Sequence, residues 1–199
     1  HTTDSAIYCI TLRNVGYFRS QGKRSDMRDM PPNILMTLQA LHRAKRPLLI
    51  FGWGLHSAHA EDRFIRLAET LKVPYAMPWG APDLNSPYCI GDLGPRDINH
   101  IDWVIRQADW LLCIGACLGK TINKVGGRAA VWMVDIDQAE LDKWPQFTGI
   151  REDAKEFLEY QIAMVEAVYS HDGSFPDFSD WFAQIALAKD SNNYAEETT

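Results

Sequence analysis

Residues 47–54 read Pro-Leu-Leu-Ile-Phe-Gly-Trp-Gly, a short uninterrupted apolar run that ends in two closely spaced glycines. An apolar run without alternation is typical of a strand that is covered on both faces, as in a parallel sheet. After it, apolar residues recur at helical spacing from Ala60 to Leu71, with charged residues between them. This stretch therefore predicts a buried strand that is followed by an amphipathic helix.

The same succession of apolar run and amphipathic helix continues along the chain. Further strands are predicted at residues 73–77, 109–115, 130–137 and 147–150, and further helices at residues 33–46, 98–108, 152–168 and 177–189. Residues 79–97 are rich in proline and glycine and are interpreted as a loop. Buried strands that alternate with helices pair in parallel through right-handed crossovers. The predicted fold class is α/β, a doubly wound parallel sheet in three layers.

Composition excludes several classes of function. The 199 residues include 20 Lys and Arg against 26 Asp and Glu, a net charge of −6. This balance argues against binding of nucleic acid and against docking on anionic lipid. No apolar run approaches the roughly 18 residues of a membrane span, and the first residues lack the pattern of a signal peptide. We therefore expect a cytoplasmic protein without nucleic-acid or membrane partners.

The cysteines and histidines do not form a metal-binding pattern. Cys9, Cys89, Cys113 and Cys117 lack the spacing of a zinc site or of a disulfide framework. We expect reduced, buried thiols that act as small apolar side chains. The six histidines have no ligand spacing either. No metal ligand is predicted in this chain.

Candidate binding residues follow three of the predicted strands. Ligands of open parallel sheets lie at the carboxyl ends of the strands, where the strand order reverses. The residues at these positions are Gly52, Trp53, Gly54, Gly115, Ala116, Asp135, Ile136 and Asp137. Paired glycines let backbone approach a ligand, and a helix N-terminus favours a phosphate, but Ser57 stands where G-x-G-x-x-G needs its third glycine.

The carboxylates after the fourth strand have two interpretations that do not exclude each other. A carboxylate at a strand end accepts hydrogen bonds from ribose hydroxyls in dinucleotide sites. Asp137 could equally cap a helix over residues 138–141. The sequence contains no G-x-S-x-G motif, no P-loop lysine motif and no nucleophile placed with a base, so no catalytic residue is predicted.

An ordered series of loose motifs carries a family resemblance. The segments are residues 45–54, 64–74, 88–94, 108–116 and 134–141. Their order and spacing resemble the central domain of thiamine-diphosphate-dependent enzymes of the acetolactate synthase-like branch. The resemblance covers residues 33 to 165.

The resemblance implies a Rossmann-like domain of the DHS-like NAD/FAD-binding type within a longer, homo-oligomeric enzyme. Residues 1–32 are then an upstream tail or linker, 33–168 the central domain, and 169–199 a connector toward a missing C-terminal domain. The full-length enzyme would decarboxylate or ligate 2-oxo acids with thiamine diphosphate and Mg²⁺, both held by flanking domains of the same chain. Its Gly-Asp-Gly and Asn metal-binding segment is absent here, so this chain alone is expected to be inactive.

The resemblance implies that some relatives bind FAD or ADP in the middle domain, at the strand ends where the eight candidate residues of this chain lie, and that others leave it empty. Acetolactate synthases carry Arg-Phe-Asp-Asp-Arg after the position of Ala116, whereas this chain has Cys117-Leu-Gly-Lys-Thr121. Trp53 stands where relatives carry a small residue, and its indole would crowd a nucleotide. FAD or ADP is therefore optional in this interpretation.

Two alternatives stay open at the level of sequence. The first is a self-standing nucleotide-binding Rossmann-like protein, such as a small NAD-dependent dehydrogenase. The second is an interaction domain whose aromatic faces pack on other domains, because seven tryptophans are many for this length.

Overall fold

The structure is a computed structural model that describes residues 17–20, 23–26, 32–78, 86–93, 100–119, 125–169 and 175–191. A small antiparallel hairpin comes first, with strands β1 (Tyr17–Ser20) and β2 (Lys23–Asp26). The strands that follow are β3 (Pro47–Phe51), β4 (Tyr75–Pro78), β5 (Cys89–Leu93), β6 (Trp110–Ile114), β7 (Ala130–Asp135) and β8 (Thr148–Arg151). The helices are α1 (Pro32–Arg43), α2 (Trp53–Ser57), α3 (Glu61–Leu71), α4 (His100–Gln107), α5 (Gln138–Leu141), α6 (Ala154–Tyr169) and α7 (Ser179–Ser191).

The six strands β3 to β8 form one parallel sheet in the order β5-β4-β3-β6-β7-β8. Counted from β3, this is the 3-2-1-4-5-6 order of the doubly wound fold. The chain moves outward on one side of β3 and then returns to continue on the other side from β6. The strand order therefore reverses between β3 and β6, and the predicted fold class is confirmed.

Helices cover both faces of the sheet. On one face α6 packs against α1 and α3, and on the other α4 packs against α7. The two central strands β3 and β6 are buried along their whole length, as the uninterrupted apolar runs predicted. The core lies on both sides of these strands, which gives the three predicted layers.

Asp109 fixes the amino-terminal end of the sheet. Its carboxylate oxygens accept hydrogen bonds from the backbone amides of Lys45 and Arg46, each at 2.9 Å. The amide of Asp109 in turn donates to the carbonyl oxygen of Arg46 at 3.1 Å. These bonds tie the turn between α1 and β3 to the start of β6, so the two central strands begin side by side.

Three predicted segments differ in the structure. Residues 79–97 are not all loop, since they contain the edge strand β5, which has no apolar run because only Ile90 in it is buried. The helix predicted from Ala60 to Leu71 is confirmed as α3, but a short helix that was not predicted, α2, precedes it, and His59 between them adopts a positive φ of 50°. The predicted tail at 1–32 contains the β1–β2 hairpin, while its segment 7–15 lies outside the described residues.

The three-way division into tail, domain and connector stays a prediction. Within the segment assigned to the connector, α7 packs against α4, and its side chains Trp181 and Ile185 are buried, as is Phe178 immediately before the helix. Burial of these side chains makes α7 part of the core that the structure describes.

Candidate functional site

A cleft of about 370 Å³ opens at the carboxyl ends of β3 and β6, where the strand order reverses. It is lined by Phe51, Gly52, Trp53, Gly54, Pro78, Leu93, Gly115, Ala116, Cys117, Leu118, Asp135, Asp137 and Glu140. Seven of the eight predicted site residues are therefore brought together around it. Ile136 is not among the lining residues, and its side chain is 66% exposed.

The glycines of this cleft serve backbone packing between its two loops. A Cβ atom on Gly52 would lie 2.0 Å from the carbonyl oxygen of Gly115, and one on Gly54 would lie 2.8 Å from the Cα atom of Gly115. Gly115 itself has a φ of +58°, and a Cβ there would lie 2.7 Å from the amide nitrogen of Leu55. Glycine is therefore required because the turn between β3 and α2 packs closely against the backbone that follows β6. The space these glycines leave is filled by that backbone and does not face the cleft.

Three backbone amides at the start of α2, those of Gly52, Gly54 and Leu55, donate within the protein. The amide of Gly52 bonds the carbonyl of Ile114 at 3.0 Å, and that of Gly54 bonds the carbonyl of Gly115 at 2.9 Å. The amide of Leu55 bonds the carbonyl of Gly52 at 3.0 Å. A phosphate at this helix start would need free amides, and three of the amides there already have partners. The phosphate contact stays a prediction. With only five residues, α2 also has a small macrodipole.

Both predicted aspartates hold the turn between β7 and α5. One carboxylate oxygen of Asp135 accepts from the amide of Asp137 at 2.9 Å. One oxygen of Asp137 accepts from the amide of Ala139 at 2.9 Å and caps α5. The capping interpretation of Asp137 is confirmed, whereas its role toward a ribose stays a prediction.

A third carboxylate, that of Glu140, also lines the cleft. Glu140 pairs with the exposed ammonium of Lys143, and this hydrogen bond raises the pKa of Lys143. Sequence reasoning did not select Glu140, although it lies in the last segment of the motif series, residues 134–141. Leu93 was also missed, because β5 was not predicted as a strand.

Trp53 forms one wall of the cleft and is 48% exposed. Its indole lies edge-on to the imidazole of His56, with the ring centroids 5.8 Å apart. The Nδ1 atom of His56 contacts the carboxylate of Glu61. Burial alone would raise the pKa of Glu61, but hydrogen bonds from its own amide and from His56 lower it. These contacts hold the indole at the mouth of the cleft.

The described residues do not fit the diphosphate of FAD or ADP, the cofactors that the resemblance implies. A diphosphate needs unoccupied amides or cations, and the described lining offers three carboxylates and no Lys or Arg. For a metal ion, no group of three or more His, Cys, Asp or Glu is suitably placed in the described part of the chain.

The cysteines and tryptophans are only partly as predicted. Cys113 is buried, which raises the pKa of its thiol, and Cys89 is half-buried. Cys117 is exposed and lines the cleft, so the prediction of buried thiols is wrong there, because β6 ends before it. Cys9 lies outside the described residues.

Among the tryptophans that the structure describes, Trp53 alone is a strongly exposed side chain, which removes most support for large aromatic docking faces.

None of the helices in the described ranges is both long enough and apolar enough to cross a membrane.

Comparison with known proteins gives a consistent result. The family model described as "Thiamine pyrophosphate enzyme, central domain" matches residues 35–160. The acetolactate synthase isozyme 1 large subunit of Escherichia coli (strain K12) is 33% identical over 136 residues, which are 64% of this chain and 24% of that protein. A probable acetolactate synthase large subunit of Methanococcus aeolicus is 24% identical over 174 residues, 81% of this chain and 29% of that protein.

The 2-hydroxyacyl-CoA lyase 1 of Homo sapiens is 37% identical over a shorter stretch of 82 residues, 38% of this chain and 14% of that protein. The chain thus spans about a quarter of the length of the two acetolactate synthases. Among solved structures, a putative thiamin diphosphate-dependent enzyme from Mycobacterium smegmatis superimposes with a TM-score of 0.53 at 18% identity, over 73% of this chain and 30% of that chain. This likeness concerns the fold alone, but the family model covers more than half of the chain. The chain therefore belongs to the family of thiamine pyrophosphate enzyme central domains, in an acetolactate synthase-like form.

Proposed function

We propose that this chain is the non-catalytic central domain of an acetolactate synthase-like enzyme, and that it acts as a scaffold between flanking domains of the same polypeptide. The full-length enzyme would be a homo-oligomer that decarboxylates or ligates 2-oxo acids. Thiamine diphosphate and Mg²⁺ would be bound by the flanking domains. Thiamine diphosphate would supply the carbanion chemistry that 2-oxo acid decarboxylation or ligation needs, in those flanking domains.

The observation that carries this proposal is that the predicted cleft residues make contacts that stabilise the fold. Gly52, Gly54 and Gly115 pack backbone on backbone, and both Asp135 and Asp137 hold a turn. A side chain that moves protons must reach a substrate with a titratable group near its working pH. The carboxylates in the described lining are instead engaged by backbone amides or by Lys143.

The alternative of a small NAD-dependent dehydrogenase shares the strand order of this fold. NAD carries a diphosphate, however, and meets the same occupied amides of Gly52 and Gly54. No observation in the described residues favours the dehydrogenase over the scaffold. Binding of FAD or ADP, which the sequence left optional, would also need the amides of Gly52 and Gly54.

The proposal is tested by measuring thiamine diphosphate binding and pyruvate decarboxylation with the purified chain. We expect no heat of binding in calorimetry with thiamine diphosphate and Mg²⁺, and no release of carbon dioxide. The full-length protein that contains this segment should show both. Turnover of pyruvate by the 199-residue chain alone would contradict the non-catalytic role.

A further inference from the structure

We infer that the cleft at the carboxyl ends of β3 and β6 excludes diphosphate-bearing cofactors, FAD and ADP included. The resemblance implies one of these cofactors in some relatives, so this chain would differ from them at the same place in the fold. The inference rests on the proposed scaffold function and deepens it, since it means that the domain acts without a dinucleotide of its own. Three features carry the inference: backbone amides that already have partners, the negative charge of the described lining, and the position of the Trp53 side chain.

The first step concerns the donors. A phosphate at a strand–helix turn is held by the amides of the first helical turn. Here the amides of Gly52 and Gly54 bond the carbonyls of Ile114 and Gly115. A phosphate could take them only by leaving those carbonyls without partners and by separating the two loops. The backbone contact at Gly52, where even a Cβ would overlap the Gly115 carbonyl, shows how closely the loops are joined.

The second step concerns charge. The described lining carries the carboxylates of Asp135, Asp137 and Glu140 and no basic side chain. Two basic groups close to α5 are already engaged, since Lys143 pairs with Glu140 and offsets its charge, and the Nε atom of Arg151 donates to the Ile136 carbonyl at 3.3 Å. A concave surface lined by one sign of charge concentrates its potential, so this cleft attracts cations and repels a diphosphate.

The third step concerns space. The indole of Trp53 lies against the cleft, where the resemblance expects a small residue. His56 and Glu61 hold it through the edge-on ring contact and the imidazole–carboxylate contact. A dinucleotide lying across the first loop would have to displace this ring.

Trp53 also provides the test, because it is a fluorophore inside the cleft. The difference in emission between the native chain and Trp53→Phe isolates its signal from that of the other tryptophans. Each quenching constant is divided by that of N-acetyltryptophanamide in the same buffer, because iodide is intrinsically the stronger quencher of indole. At matched ionic strength, we expect the normalised caesium constant of Trp53 to be about twofold or more above the normalised iodide constant, because the carboxylates enrich cations. Asp135→Asn should reduce this ratio, whereas Asp62→Asn, an exposed carboxylate on α3 outside the cleft, should leave it unchanged.

The second arm titrates ADP and FAD into the native chain, followed by calorimetry and by the Trp53 signal. We expect no saturable binding up to the solubility limit of each compound. A normalised iodide constant that equals or exceeds the normalised caesium constant would overturn the inference, and so would saturable binding of either cofactor. Binding that disappears in Lys120→Ala would overturn it as well and would assign the phosphates to that lysine, which lies outside the described residues. These measurements involve no turnover, so they are independent of the test of the non-catalytic role.

Discussion

At the scale of the residue, Gly52 is, among the glycines that the structure describes, the one where an added Cβ atom would come closest to another atom. In Gly52→Ala the new Cβ would lie 2.0 Å from the Gly115 carbonyl oxygen and 2.3 Å from the Ala116 Cα atom, both backbone atoms that cannot rotate away. We expect a loss of about 1–3 kcal/mol in the free energy of unfolding, the usual range for overpacking. Urea denaturation of Gly127→Ala is the matched control, since a Cβ there has no atom within 4 Å. Equal stability of the two variants would show that the loops are not in this contact.

The cap of α5 is a second prediction at this scale. Asp137→Ala removes the oxygen that accepts from the amide of Ala139, and we expect a loss of about 0.5–2 kcal/mol in unfolding free energy. Asp137→Asn keeps an oxygen acceptor and should remain within a few tenths of a kcal/mol of the native chain, because Asn is an equally good N-cap. Thermal unfolding of the three proteins decides between them. A loss of the same size in Asp137→Asn would mean that the charge, and not the cap, matters.

At the scale of the element, a buried polar contact joins α1 to α6. The amide of Gln161, which is 1% exposed, donates to the Ile34 carbonyl at 3.1 Å and to the Thr37 hydroxyl at 2.5 Å. Gln161→Leu should cost about 1–3 kcal/mol, because acceptors on α1 lose a partner in the core. Gln184→Leu, on an exposed position of α7, should change stability little. In the double variant Thr37→Val with Gln161→Leu, part of the loss should return, and purely additive losses would contradict this coupling.

Elements differ in how far the sequence predicts them, and the reasons are physical. The central strands β3 and β6 have uninterrupted apolar runs because both of their faces are covered, so the sequence predicts them as strands. The edge strand β5 has no such run, since only Ile90 in it is buried, so the sequence predicts a loop there. In the cleft, the positions of the strand ends in the sequence predicted seven of the lining residues. They did not predict that Gly52 and Gly54 contact Gly115, because a contact between distant segments leaves no local sequence pattern.

At the scale of the whole molecule, α7 completes the layer on one face of the sheet. Trp181 is 1% exposed, its indole Nε1 atom donates to the Pro47 carbonyl at 3.0 Å, and its ring stacks on Trp103 with centroids 5.7 Å apart. It thereby links α7 both to the start of β3 and to α4. If α7 belongs to the same folding unit as the sheet, truncating this side chain must destabilise the entire domain in one transition.

We therefore expect Trp181→Ala to lower the unfolding free energy by about 3–5 kcal/mol, the range for removing a large aromatic side chain from a core. Trp181→Phe keeps most of the apolar contact but removes the indole donor to the Pro47 carbonyl. The lost hydrogen bond should lower its unfolding free energy by about 1 kcal/mol, in addition to the smaller effect of the changed packing. Leu187→Ala on the same helix is the control, since Leu187 is 70% exposed and its truncation should have little effect. Circular dichroism during urea denaturation reports the loss of helix and sheet together. If α7 were only a connector that passes beside the domain, Trp181→Ala would unfold at the same urea concentration as Leu187→Ala.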